Sequence, residues 1–265
     1  MNAHKFINTE KLYHYTTFDT AIKILLSQEL RFARLARMND IYESSKHIGI
    51  CGDAISNISE ITKIFNRAIG CYQQISLTED KGNKMGFNIP MMWGHYADKG
   101  NGVCIIFDKQ QLLKKLQTKD LRGSITYNDD FNNWDISQKG EILQGSDVVR
   151  YLHLNASKLF MTKTEDWEHE QEYRIVRKSR KNQSLSIKGC VLGVLLSEID
   201  RNSQKFNDKC KILEKIGAEV MAYCNLAGYV SIHNNKEEQI YPDLTGYHLP
   251  SQDEIESLKK RTNNE

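Results

Sequence analysis

The chain has 265 residues, with 36 Lys and Arg against 34 Asp and Glu, 40% hydrophobic and 9% aromatic residues, six cysteines and three prolines. That length holds one large domain or two small ones around a buried core, and the apolar content excludes a disordered or collagen-like chain. A formal net charge of +2 gives no global field that would commit the protein to nucleic acid, a membrane surface or an acidic partner, so any basic stripe must be local.

Leu12 to Thr16 reads as a short strand. The helix after it has apolar positions Phe18, Ala21, Ile22, Leu25 and Leu26, with Thr17 placed to cap it. Leu30 to Leu35 reads as a strand carrying Arg31 and Arg34, and Ala54 to Ile69 as an amphipathic helix. Cys71 to Thr78 and Val103 to Phe107 are expected strands, separated by a loop over Glu79 to Pro90 and an aromatic cluster over Met91 to Tyr96. Lys109 to Gln117 is expected to be helical, Ser124 to Tyr127 a strand, and Gly145 to Thr162 one long helix. Glu172 to Val176, Cys190 to Leu195, Glu219 to Cys224 and Tyr229 to His233 complete the strands, with a helix over Ser203 to Ile216. Strands and helices interleave irregularly, which predicts an α+β fold with a mixed, largely antiparallel sheet. No repeat or linker divides the chain, so one domain is expected over residues 1–250. A charged helix or tail follows over 251–265, capped by Ser251 with Glu254 at the capping-box position.

The cysteines form no C-x-x-C pair, which argues against a structural zinc site. The first eleven residues contain no apolar signal core, and the longest apolar stretch, Cys190 to Leu196, is too short to cross a bilayer. The expectation is a cytoplasmic protein with reduced thiols buried as small core residues, and no membrane partner.

Three segments concentrate histidine, aromatics and carboxylates: Leu12-Tyr13-His14-Tyr15-Thr16, Met92-Trp93-Gly94-His95-Tyr96-Ala97, and Trp167-Glu168-His169-Glu170-Gln171-Glu172-Tyr173-Arg174. If both are extended, Glu170 and Glu172 point the same way. The plainer alternative makes the aromatics core edge and Glu-x-Glu a solvated face, with Arg174 paired to Glu172 or Glu170. The spacing Arg31, Arg34, Arg37 and the run Arg177-Lys178-Ser179-Arg180-Lys181 have the charge to contact phosphates, although such runs are more often solvated loops.

These segments, with Asn39-Asp40-Ile41-Tyr42-Glu43, Gly102 to Asp108 and the Lys163-x3-Trp167 spacing, resemble a bacterial family of uncharacterised domains found among defence and mobile-element genes. The resemblance runs from about residue 10 to residue 196. More remotely, the order His-x-Thr, aromatic segment, Glu-x-Glu is similar to ADP-ribosyltransferases, including their DNA-modifying toxin branch. That resemblance implies NAD as the dinucleotide used and a macromolecular acceptor, nucleic acid or protein. His14 and Thr16 would anchor the ribose and backbone beside Tyr15. Tyr96 or Trp93 would stack on nicotinamide, Glu172 would be the catalytic carboxylate, and Glu170 would orient the acceptor.

Ser76 in Ile75-Ser76-Leu77-Thr78 loosely matches the serine-containing central motif of that superfamily, and Arg174 would hold a phosphate unless it pairs with the glutamates. The chemistry is intelligible, because cleaving a nicotinamide glycosidic bond develops an oxocarbenium-like sugar that a fixed carboxylate favours. No metal is required by this scheme. Two other classes stay open. One is a metal-dependent nuclease or hydrolase using His14, His95, Glu170 and Glu172, and the other is a nucleotide-sensing module without turnover.

Overall fold

A computed structural model describes residues 8–35, 58–128, 145–197, 203–226, 229–234 and 239–241. The Asn39 to Glu43 segment, Arg37, the first turn expected at Ala54 and the tail over 251–265 lie outside these residues. The chain divides into two compact units, one comprising residues 10–192 and the other residues 1–9 with 193–265. The fold is α+β, with helices flanking sheets that are mostly antiparallel.

In the larger unit, β1 (Lys11–Thr16) leads into α1 (Phe18–Ser27), whose first turn is capped by the Thr17 hydroxyl accepting from the Thr20 N–H. The strand expected over Leu30 to Leu35 is instead two short ones, β2 (Glu29–Arg31) and β3 (Ala33–Arg34). They part at Phe32 because they join different partners: β2 pairs with β10 (Ser184–Ser186), a strand the periodicity did not show, and β3 pairs with β4 (Tyr72–Glu79).

Next come α2 (Ile58–Ile69), α3 (Pro90–Tyr96) and β5 (Val103–Asp108). The aromatic cluster is thus a helix, opened by a proline whose missing N–H costs nothing at the first position. The chain continues through α4 (Lys109–Leu113), shorter than expected, then β6 (Leu121–Ser124) and β7 (Thr126–Tyr127). The long helix expected over 145–162 breaks at Asn155 into α5 (Gly145–Leu154) and α6 (Ala156–Phe160), and Thr162 belongs to β8 (Thr162–Lys163). A 3-10 helix over Glu165–Glu170 then delivers the chain to β9 (Glu172–Lys178).

The main sheet of this unit runs in the order β5-β1-β4-β9-β6, every pair antiparallel. β5 is apolar on both faces, with Val103 to Phe107 fully buried. Burying such side chains contributes about 1.5–3 kcal/mol each before conformational entropy is charged against it. On one side, Ile61 and Phe65 of α2 meet Val148, Leu152, Leu159 and Phe160 of α5 and α6, and the Tyr72 and Phe160 rings stack at 4.3 Å. At the turn into β5, a side chain on Gly102 would collide with the Thr16 carbonyl and the Ala97 backbone, so only glycine fits.

The smaller unit contains β11 (Val191–Ser197), α7 (Gln204–Lys215), β12 (Val220–Leu226), β13 (Tyr229–Asn234) and β14 (Gln239–Tyr241). β11 and β12 are parallel, as a strand-helix-strand crossover requires, and β12, β13 and β14 follow as antiparallel neighbours. Ser203 caps α7 by accepting from the Phe206 N–H. Among the described residues no helix is long and apolar enough to cross a membrane. Cys104 and Cys190 are buried free thiols, whereas Cys71 and Cys210 are only partly buried.

Candidate functional site

The site arises where the sheet of the larger unit parts. β1 pairs with β5 at six successive positions but with β4 at only two, Leu12 with Glu79 and Tyr13 with Thr78. Further back along β4, β3 takes over at Gln74 and Gln73. Among the described residues, no strand pairs with the edge of β4 between these two pairings. Glu79 donates its N–H to the Gln171 carbonyl on the β9 side, so the two-residue alternation turns the backbone groups of Thr78 and Ser76 toward β1. Where the ladder would continue by joining Tyr15 to Ser76, the His14 imidazole hydrogen-bonds the Ser76 backbone instead. Ser76 is exposed although it sits in mid-strand, which is the mark of the parting.

The parting forms a cavity of about 300 Å³ lined by residues of β1, β2, β3, β4, α3 and β8, together with Glu170 and Glu172. Strict alternation would set His14 on the face opposite Thr78 and Glu172, because Thr78 is the cross-strand partner of both Tyr13 and Glu172. β1 keeps its own alternation through its ladder with β5, and it is the parting of β1 from β4 beyond Tyr13 that lets His14, Ser76, Thr78, Glu170 and Glu172 line one space. Protein encloses His14 apart from what the cavity admits. This burial pulls the imidazole down to about 4, with the bond to Ser76 opposing. The ring is therefore neutral at pH 7. With one nitrogen donating to the Ser76 backbone, the other is an acceptor.

The two glutamates do not extend along one strand as expected. Glu170 ends the 3-10 helix, Gln171 adopts a left-handed conformation with φ 47°, and Glu172 opens β9. Each is almost fully buried, and each is held by fixed cations. Glu170 accepts from the Tyr96 hydroxyl at 2.6 Å on Oε1 and from Lys163 Nζ at 2.6 Å on Oε2. Glu172 takes both arms of the Arg174 guanidinium at 2.6 Å, with Lys163 Nζ 3.7 Å away. Burial disfavours its charge, but Arg174, Lys163 and a Ser76 hydrogen bond overcome that and hold the carboxyl well below the usual range. Arg174, fully buried, also donates to the Phe160 carbonyl at 2.8 Å. The Glu172 N–H donates to Tyr127 Oη at 2.8 Å, which fixes the start of β9 against β7.

The remaining residues singled out by the sequence occupy varied positions. Tyr15 lines the cavity, its hydroxyl donating to the Gly86 carbonyl at 2.7 Å. Tyr96 lines it too, whereas Trp93 is buried beside it, its indole N–H given to the Phe87 carbonyl at 2.9 Å and its ring edge-on to Tyr15. Thr16 is buried opposite Val103 on β5 and does not belong to the lining. Arg174 stands behind Glu172 and outside the lining, and His95 is exposed.

Two lining residues gave little signal in the sequence. Lys163 appears there only as part of a spacing, yet its ammonium touches both carboxylates and lies 4.3 Å from the centre of the Trp167 ring. Thr78 is 1% exposed, and its hydroxyl oxygen has no hydrogen-bond partner among the described residues. Its position two residues after Ser76 on the same strand was the one available clue. Among the described residues, no group of three or more His, Cys, Asp or Glu is disposed to hold a metal ion.

Residues 92–175 match DUF2971, a family described as a protein of unknown function. The matched segment contains Tyr96, Lys163, Glu170, Glu172 and Arg174, while His14, Ser76 and Thr78 precede it. No curated protein and no solved structure matches the chain.

Proposed function

We propose that the cavity binds the nicotinamide–ribose half of NAD and that the chain is an ADP-ribosyltransferase-like enzyme acting on a macromolecular acceptor in bacterial conflict. The observation that carries this reading is that a neutral histidine, two strand hydroxyls, a tyrosine and a buried carboxylate pair line one space at the parting of a sheet. Small-ligand pockets run from about 300 to 1,000 Å³, so a space of about 300 Å³ suits one nucleoside-sized half, with the rest of a dinucleotide outside. The donor set fits that half: His14 offers an acceptor to a ribose hydroxyl, Thr78 a free hydroxyl, and Tyr96 an aromatic ring.

In this reading the bond broken joins C1′ of the ribose to the nicotinamide nitrogen, which leaves with the electron pair. The acceptor forms the new bond to C1′ and loses a proton. Glu172 supplies negative charge beside the sugar, where charge develops most in the transition state. Arg174 and Lys163 keep that carboxylate ionised and fixed in direction, so no reorganisation is needed when the sugar becomes cationic. Glu170, anchored by Tyr96 and Lys163, borders the same space as the acceptor-orienting group.

The test is release of nicotinamide from labelled NAD by the full chain with DNA, RNA and protein acceptors, compared with Glu172→Gln. Activity at least 100-fold above that of the variant is expected, in line with the loss of a transition-state electrostatic contact. Equal release by the two proteins removes the proposal. A second reading, a nucleotide-sensing module without turnover, is favoured by one observation: every carboxylate oxygen of Glu170 and Glu172 already accepts a short bond from the protein. Thermal stabilisation by NAD with no product after prolonged incubation would select it.

A further inference from the structure

The two basic segments that the sequence presents far apart converge beside the cavity. β2 carries Arg31 into register with Ser184 of β10, and Phe32 donates its N–H to the Gln183 carbonyl at 3.0 Å. Arg34 reaches across 146 residues of sequence to donate to the Arg180 carbonyl at 2.8 Å, and it also holds the Gly70 carbonyl. Gln73 donates to the carbonyls of Ser179 and Lys181 at 2.9 and 2.7 Å. The backbone of the 179–183 loop is thus pinned by side chains from β3 and β4. Its own cationic side chains are left facing solvent.

The members of the basic run divide accordingly. Arg177 turns inward and is consumed by a bidentate bond to Asp120 at 2.9 and 2.7 Å. Lys178, Arg180 and Lys181 are exposed, as is Arg31, which also lines the cavity. Among the described residues, none of these four pairs with a carboxylate. Among the described residues, the exposed large apolar side chains are Leu26, Met91, Val149, Leu154 and Ile212, and none lies on β2, β9, β10 or the 179–183 loop. A protein partner usually needs a buried aromatic or aliphatic anchor at the centre of its interface, whereas a phosphodiester chain needs unneutralised cations held in place.

We propose that Arg31, Lys178, Arg180 and Lys181 form a rim that binds the phosphate backbone of a single-stranded nucleic acid and leads it to the mouth of the cavity. The binding claim stands on this geometry alone, while the role of the strand as acceptor rests on the reading of the cavity given above. A single strand, unlike a stacked duplex, can turn a base or sugar toward the mouth of that cavity, beside the half-dinucleotide that the cavity holds in that reading.

The test measures fluorescence anisotropy of labelled 20-nucleotide single-stranded DNA and RNA, and of a DNA duplex, with the full chain between 50 and 200 mM salt. The rim variant replaces Arg31, Lys178, Arg180 and Lys181 with Gln. The comparison variant replaces four exposed lysines elsewhere, Lys23, Lys114, Lys115 and Lys119, so that both lose equal charge. The wild type should bind single strands with steep salt dependence. The rim variant should weaken binding about tenfold or more and reduce the slope of log K against log salt by about 3, from about 0.7 per phosphate contact. The comparison variant should change binding less than about threefold.

Equal losses in the two variants would show an unfocused charge effect and overturn the proposal, as would no binding at 50 mM salt. Competition by polyglutamate as effective as by an oligonucleotide of equal charge would also overturn it, in favour of an acidic protein partner. No NAD enters this assay, so its failure leaves the reading of the cavity standing, and an inactive cavity leaves this result standing.

Discussion

Replacing Lys163 with Met tests the electrostatic frame of the site most directly. The ammonium is 2.6 Å from Glu170 Oε2 and 3.7 Å from Glu172 Oε2, with both members of the shorter pair 5% exposed. At an effective dielectric of about 20, the shorter contact alone carries an attraction of about 6 kcal/mol, much of it offset by the several kcal/mol spent on desolvating the ions. Glu172 retains Arg174, so the loss falls mainly on Glu170, which among the described residues keeps the Tyr96 hydroxyl alone. Breaking a buried pair from one side costs about 3–5 kcal/mol, because the other charge stays buried. For a unit of this size that lowers Tm by about 6–20 °C.

Urea denaturation of the wild type, Lys163→Met, Glu170→Gln and the double variant closes a thermodynamic cycle. In the double variant no unpaired charge remains at position 170, and stability should return to within about 2 kcal/mol of wild type. A single variant within about 1 kcal/mol of wild type at an unchanged m-value, or a double variant no more stable than Lys163→Met, would refute the assignment of Lys163 as the cation that holds the pair.

Two further outcomes follow from the same residues. His14 is depressed to about 4 and Glu172 to about 2, so in both cases the unfolded chain takes up a proton before the folded one does. Stability is therefore fully present above about pH 6.5, falls through the His14 window between about 6.5 and 4, and falls again through the Glu172 window between about 4.3 and 2, by at most about 1.4 kcal/mol per pH unit for each group. Urea midpoints at pH 7, 5.5, 4 and 3 should show that decline, and His14→Gln should flatten the upper window; a midpoint independent of pH between 6.5 and 4 in the wild type would contradict it. Thr78→Val removes a buried hydroxyl that has no partner, so it should leave stability unchanged or raise it by about 1 kcal/mol while weakening ligand capture by the cavity. A loss of more than about 1 kcal/mol would mean that the hydroxyl is bonded in the folded chain.

Much of the architecture was written locally. The caps at Thr17 and Ser203, the apolar run of β5 and the amphipathic face of α2 depend on neighbours within a turn or two, and they appear near the positions read from spacing. The breaks were not local. Nothing in the composition of Leu30 to Leu35 shows that Arg31 and Arg34 serve different strands, and nothing in the periodicity of 145–162 shows the turn at Asn155. Both follow from which partner each half meets, a property of packing and not of propensity.

The sequence by itself determined the residue chemistry of the site. It showed a histidine in the expected first strand, a tyrosine at the end of an aromatic cluster, two glutamates flanking Gln171, and Arg174 within reach of Glu172. Only the tertiary structure decided that these meet. β1 and β4 pair at two positions and then part, which opens the space that His14 and Glu172 both line. It also decided the electrical state of that space, by bringing Lys163 from β8 against carboxylates that the sequence leaves unneutralised except by Arg174. The physical reason is distance: side-chain type is fixed by the chain, but Coulomb energy and desolvation depend on which groups the fold holds within a few ångströms and how little water it leaves among them.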